Sequence, residues 1–183
     1  KLAIENEGHP DNVAPAMLGG LVASILHKER VISMRLPTKA NRGPIHATLA
    51  LPDFDFPTSQ ARAILPKDVT RVDAIHNLSR VVLVTEALRT GNMELLGIAM
   101  KDSLHQPYRL KLIPGAISAL KAGKEAGASA VALSGAGPSL IAFSPKEDEA
   151  IGAAMKREFK AAGLGVRIFE LGTSYEGAEV TII

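Results

Sequence analysis

The sequence predicts an α+β fold, with helices packed on one face of a largely antiparallel sheet. Its last third alternates helix, strand, strand, helix, strand, and a short glycine loop joins the two adjacent apolar strands, as it would an antiparallel pair. With 183 residues, 46% of them apolar, the chain can bury a core as one domain or as one domain with an attached piece.

The elements follow in order. Lys1–Glu7 reads as the tail of a helix already under way, and Lys1 is not a methionine, so the chain is expected to be a piece of a longer protein. Asp11-Asn12 supplies N-cap chemistry, Pro15 suits only a first helical turn and Gly19-Gly20 is a stop, which brackets a short apolar helix. Two β-like runs follow, Leu21–His27 and Val31–Leu36, split by Lys28-Glu29-Arg30. The polar connector Lys39–Pro44 marks the candidate boundary, giving residues 1–44 and 45–183. Beyond it lie a strand at Ile45–Leu51, a Pro/Asp turn and a short helix near Ser59–Leu65. Val72, Ile75, Leu78 and Val82 form a broad helical stripe from Arg71 to Thr90, stopped by Gly91, and a second helix spans about Met93–Leu104. Pro114 opens a helix that Gly127 ends; Ser129–Leu133 and Leu140–Phe143 are strands around the loop Ser134–Ser139. Ser144-Pro145-Lys146-Glu147 reads as a capping box opening a helix with Ile151, Met155, Phe159 and Ala162 on one face. Val166–Leu171 closes as a strand, and Val180–Ile183 is a candidate final one.

Composition excludes several functions. A net charge of +2 and scattered aromatics (two Tyr, five Phe) give neither the basic face nor the stacking platform of a nucleic-acid binder. The absence of cysteine removes disulfides, thiolate metal sites and thiol nucleophiles. No apolar run approaches the roughly 20 residues that span a bilayer, and no signal peptide opens the chain. A cytoplasmic location, with no nucleic-acid or membrane partner, is the expectation.

Chemistry concentrates in Glu5-Asn6-Glu7-Gly8-His9-Pro10-Asp11-Asn12-Val13-Ala14-Pro15-Ala16. Two carboxylates, a histidine and an asparagine precede a helix N-terminus, whose free N–H groups and dipole favour anions. By itself the block reads equally well as a capped helix whose His9 bonds a neighbour. A second motif, Ser134-Gly135-Ala136-Gly137-Pro138-Ser139, lets backbone approach a ligand or another loop closely, although such hairpins are commonly plain turns. Arg62, in Ser59-Gln60-Ala61-Arg62-Ala63-Ile64-Leu65-Pro66, and Arg109, in Gln106-Pro107-Tyr108-Arg109, each read alone as solvated charges.

Together these segments, in this order, resemble the homoserine-kinase branch of the GHMP family of small-molecule kinases. The resemblance implies a GHMP-kinase C-terminal domain at 45–183, helices on a largely antiparallel sheet, with 1–44 a remnant of the N-terminal kinase domain. It implies ATP-dependent phosphorylation of the L-homoserine hydroxyl, with ATP and Mg²⁺ as cofactors. Glu7 would bind the metal, a hard cation suited to carboxylate oxygen, with Glu5 as the fallback. His9, Asp11 and Asn12 would contact homoserine. Asp11 would position the hydroxyl, and whether it also acts as a base stays open, since phosphoryl transfer runs largely on positioning and charge neutralisation. Arg62 and Arg109 would hold the α-carboxylate, because a planar guanidinium makes paired hydrogen bonds that lysine cannot copy. Thr58 would be a minor substrate contact, and Gly135, Ala136 and Gly137 would face the nucleotide. A homodimer is left open.

One departure stands out. The family's phosphate-cradling loop, Pro-x-x-x-Gly-x-Gly-Ser-Ser-Ala, does not occur in these 183 residues. The resemblance covers essentially the whole chain but maps onto the C-terminal part of a complete enzyme, so this chain alone is expected to be inactive. The alternatives are another GHMP kinase, which the two arginines disfavour, and a non-catalytic binding or dimerisation module that keeps the fold.

Overall fold

The computed structural model describes residues 8–39, 43–179 and 181. The expected helix tail at Lys1–Glu7 lies outside them, as does all of the candidate strand Val180–Ile183 except Thr181, which is in no strand. The chain divides into two compact units, Lys1–Arg42 with Thr173–Ile183, and Gly43–Gly172. Residues 173–183 therefore cluster with the first unit rather than with the segment that precedes them.

In the first unit, α1 (Val13–Leu18) leads into a hairpin of β1 (Val22–His27) and β2 (Arg30–Arg35), antiparallel with Val22 opposite Arg35. Lys28, with φ of 56°, turns the hairpin. Asn12 occupies the cap position of α1 without a side-chain capping bond. Instead the Asn12 amide donates to Asp11 Oδ1 at 3.0 Å. Gly19 ends α1 with φ of 70°, and a Cβ there would lie 2.5 Å from the Tyr175 carbonyl oxygen. The segment after residue 173 thus runs hard against the helix end, and the Gly20 amide donates to Ser174 O at 2.9 Å.

The second unit is built on a four-stranded sheet, among the described residues, of order β4-β5-β3-β6, antiparallel throughout: β3 (His46–Pro52), β4 (Ala130–Leu133), β5 (Leu140–Ser144) and β6 (Val166–Gly172). Alternation assigns its faces. Thr48, Ala50, Leu133, Leu140, Ala142 and Ile168 share one face through the registers Thr48↔Ala142, Ala50↔Leu140, Leu133↔Leu140 and Ala50↔Ile168. That face carries α6 (Ala116–Glu125) and α7 (Glu149–Ala161), with Ile151, Met155 and Phe159 fully buried against it. Two glycines set the close packing. A Cβ on Gly152 would meet Ile168 Cγ2 at 2.6 Å, where α7 crosses the sheet, and one on Gly123 would meet Met155 Cγ at 3.0 Å, where α6 crosses α7.

α2 (Thr58–Ala63), α3 (Arg71–Thr90) and α4 (Met93–Ala99) precede the second half of the sheet. The α3–α4 hairpin buries Ala87, Met93 and Leu96 with Ala130 and Phe143. By alternation Ala130 and Phe143 lie on the sheet face opposite the α6–α7 core, so this hairpin covers the β4 edge of the second face. The apolar stripe read along α3 does not line this core. Val72, Leu78 and Val82 are 76%, 70% and 69% exposed, and burial falls at Ala87 instead.

Two helix boundaries depart from expectation. The run read as Met93–Leu104 stops at Ala99, and a separate short helix α5 (Gln106–Arg109) follows, continued by a 3₁₀ turn at Leu110–Leu112. Asp102 breaks the run because its carboxylate collects the backbone amides that open α5, a local bond that outcompetes helix continuation. The helix read from Ser144-Pro145 starts at Glu149, capped by Asp148 accepting from the Ala150 amide at 3.1 Å. Ser144 Oγ donates to Lys146 O at 2.6 Å rather than capping, because Ser144 is still paired in β5 opposite His46.

Candidate functional site

The candidate residues fall into two groups, one in each unit. In the first, His9 Nδ1 bonds Asp11 Oδ1, and the same oxygen accepts the Asn12 amide. Pro10 makes this tight loop possible: its carbonyl accepts the Ala14 amide at 2.8 Å, so the chain is already turning into α1 while the two side chains meet. His9 is half-buried and Asp11 exposed. The carboxylate is thereby held in place through one oxygen, while the other makes no hydrogen bond among the described residues. Glu5 and Glu7 lie outside the described residues. Among the described residues no cluster of three carboxylate or imidazole groups stands ready to hold a metal ion.

In the second unit, α2, α5 and the β4–β5 loop converge. Ala61, completely buried in the α6–α7 core, anchors α2. Thr58 and Arg62 stand one helical turn apart on its exposed side. Arg109, at the end of α5, donates from Nε to Ala61 O at 3.0 Å and from Nη1 to Gly135 O at 3.5 Å. A guanidinium has five donors, so both bonds leave others open, and neither carbonyl neutralises its charge. Burial lowers the Arg109 pKa, the Asp102 carboxylate opposes this and Arg62 lowers it further. Arginine stays charged regardless. Arg62 has no ion-pair partner among the described residues. Arg62 is near enough to act on Arg109 electrostatically, and two such cations can receive an anion such as a carboxylate.

The glycine loop divides its labour. Gly137, with φ of 91°, turns into the core, where a Cβ would sit 3.1 Å from both Ile113 Cδ1 and Leu133 Cδ1. Its amide is already spent on Ser134 O. Gly135, with φ of 61° and nothing within 4 Å of a Cβ, faces outward, and Ala136 packs partly into the core behind it. Only Gly135 offers an open approach.

Behind α5 lies a polar network that sequence reading missed. Asp102 Oδ1 accepts from Asn77 Nδ2 at 2.7 Å and the Leu104 amide at 3.0 Å; Oδ2 accepts the His105 and Gln106 amides at 2.9 and 2.6 Å. Asn77 Oδ1 in turn accepts the Ser103 amide, and Gln106 Oε1 accepts the Leu133 amide at 2.7 Å. Burial alone would raise the Asp102 pKa, but the bonds from Asn77, Gln106, His105 and Leu104 outweigh it and hold the carboxyl below its ordinary range. His105 Nε2 lies 3.5 Å from Asp102, and burial depresses the imidazole pKa against that carboxylate, with Arg109 adding to the depression. A cavity of about 350 Å³ opens beside this network, and His105 Nδ1 and Arg80 Nε are buried there without a hydrogen-bond partner among the described residues. The signal was legible: Asp102 with Pro107 just inside the next helix is a helix-start pattern. Reading one continuous helix to Leu104 hid it.

With this geometry in view, comparison with known proteins is informative. The model of the C-terminal domain of GHMP kinases matches residues 84–161, from the middle of α3 to the end of α7. Over 98% of this chain and 60% of the relative, the sequence is 45% identical to a homoserine kinase of Moorella thermoacetica. It is 39% identical to one from Clostridium beijerinckii over 100% of this chain and 60% of the relative. The crystal structure of homoserine kinase from Cytophaga hutchinsonii superposes with a TM-score of 0.83 at 33% identity, covering 92% of this chain and 53% of that one. The chain thus spans 60% of the length of these curated relatives.

Proposed function

We propose that this chain is part of a GHMP kinase and that the full-length protein transfers the γ-phosphoryl group of ATP to the side-chain hydroxyl of L-homoserine. The observation that carries the reading is the arginine pair: Arg109 braced on Ala61 O and Gly135 O, beside an Arg62 with no carboxylate partner among the described residues. That arrangement suits the α-carboxylate of an amino acid, with Thr58 one turn from Arg62 as a lesser contact. The substrate hydroxyl would bond to the γ-phosphorus as the bond to the β,γ-bridging oxygen breaks and ADP leaves. Asp11, oriented by His9, would hold the hydroxyl and take its proton, with Asn12 alongside. ATP would lie over the outward face of the Gly135–Gly137 loop. Mg²⁺, carried in with the nucleotide and met by Glu7 or Glu5, would supply charge neutralisation at the phosphates. Residues 1–44 as a remnant of the N-terminal kinase domain, 45–183 as the C-terminal domain, and inactivity of this chain alone belong to the same proposal, as do a cytoplasmic location and a homodimer.

The full-length protein, assayed with ATP and Mg²⁺ on hydroxy amino acids, mevalonate and galactose, should prefer homoserine; preference for any other acceptor overturns the assignment. The loop makes a second test. Gly137→Ala should cost about 2–5 kcal/mol of stability, because the new methyl crowds Ile113 and Leu133 and the residue also carries the left-handed backbone cost. Gly135→Ala meets only the left-handed backbone cost, about 1–2 kcal/mol, and should act chiefly by raising KM for ATP. Melting curves and KM measured on both variants separate the roles, and a Gly135→Ala enzyme with unchanged ATP kinetics removes that residue from the nucleotide site.

A further inference from the structure

Helix α5 is bolted to the edge of the sheet at both ends. At its start Gln106 Oε1 accepts the Leu133 amide at 2.7 Å; at its end Arg109 reaches Gly135 O at 3.5 Å. Leu133 closes β4, the edge strand of the sheet. The Ser134 amide bonds Ser139 O across the hairpin, so the preceding pair, Leu133 opposite Leu140, is a non-bonded one and the Leu133 N–H points out from the open edge. An edge donor of this kind needs a cap. Gln106 provides it, immediately before the glycine loop and one turn before Arg109. Asp102 fixes the backbone on which Gln106 sits, through the His105 and Gln106 amides.

We infer that Gln106 is a positioning residue that couples the arginine site to the glycine loop. Any shift of α5 toward a carboxylate on Arg109 pulls on the Leu133 amide, and any ligand that orders the loop after Leu133 fixes α5 in return. This role rests on the kinase reading above, in which the two places hold amino acid and nucleotide. Coupling between them is reciprocal, so it is measurable from either side.

The test uses the full-length enzyme and calorimetric titration of homoserine with and without a non-hydrolysable ATP analogue and Mg²⁺. In the wild type the analogue should tighten homoserine binding about tenfold. In Gln106→Met, which keeps the side-chain length and loses the acceptor, the two affinities should agree within about twofold. Gln106→Glu, which keeps an acceptor for Leu133, should retain the coupling. A merely structural contact would weaken all affinities alike and leave their ratio intact. Equal ratios in wild type and Gln106→Met, or no coupling in the wild type, overturn the inference. Hydrogen exchange of the wild-type Leu133 amide guards against a Met variant that does not fold: homoserine alone should slow it, and no change counts against Gln106. If homoserine gives neither binding heat nor turnover, the substrate reading fails instead, and the response of the same amide to the ATP analogue alone still decides whether Gln106 links loop and helix.

Discussion

Replacing Arg109 by lysine should lower kcat/KM for homoserine by about 30- to 1000-fold while leaving KM for ATP nearly unchanged, corresponding to about 2–4 kcal/mol of lost transition-state binding. The size follows from how the side chain is held. Its Nε and Nη1 lie on Ala61 O and Gly135 O, which fixes the plane of the guanidinium and leaves its other donors for a ligand. A lysine ammonium is a single point on a flexible stem. It can take one of those carbonyls or a substrate carboxylate, but it cannot brace against both backbone segments and still present two parallel donors. Arg62→Lys should cost less, because Arg62 is exposed and its contribution is mainly charge. Steady-state kinetics with each substrate varied in turn make the comparison. Should the Arg109 variant instead raise KM for ATP and spare homoserine, the arginines belong to the nucleotide and the map of the site is inverted.

What the sequence revealed and what it hid divide along physical lines. Strands were legible where alternation met a turn: β3, β5 and β6 lie within a residue of the ranges read from Ile45–Leu51, Leu140–Phe143 and Val166–Leu171. The long helix was legible through its apolar stripe and the stop at Gly91, which is left-handed, while its side-chain cap at Thr70 was not singled out. The burial of that helix was not legible, because periodicity states that a face is apolar and not what lies against it; Val72, Leu78 and Val82 are exposed here. Pro145 misled for a related reason. Strand pairing of Ser144 with His46 outcompeted the local capping pattern, a tertiary preference that no window of sequence contains. For the candidate site, Arg62 and Arg109 could be singled out, but the bonds of Arg109 to Ala61 O and Gly135 O depend on the hairpin bringing the loop to α5. Asp102 is the instructive omission. It is a carboxylate whose work is done on backbone amides nearby, and it disappeared from view once a single helix was drawn through it.

Asp102 also sets the second large expectation. Asp102→Ala should destabilise the protein by about 3 kcal/mol, because four donors lose their acceptor at a site only 11% exposed: Asn77 Nδ2 and the amides of Leu104, His105 and Gln106. Water can recover part of this at the more open end of the cavity, which keeps the figure below the sum of four buried bonds. The pH dependence identifies the carboxylate. Its folded pKa is depressed, so its contribution is fully present above the unfolded value near 4 and is lost as pH falls through the folded one. His105 acts at higher pH with the same sign. Its imidazole resists protonation in the fold, so the unfolded chain takes up the proton first, and stability declines as pH drops below about 6.5. Urea unfolding of wild type and Asp102→Asn across pH 3–8 should therefore give curves whose difference is steady above about pH 7, widens as pH falls through the imidazole range, and shrinks below about pH 4, where the wild-type carboxylate is neutralised too. Removing that carboxylate also withdraws its support for the His105 imidazolium, so the decline below about pH 6.5 should steepen in the variant. A difference curve that stays flat down to pH 3 would show that Asp102 carries no special charge in the fold. The geometry that holds Gln106 and Arg109 on α5 would then have to come from packing alone.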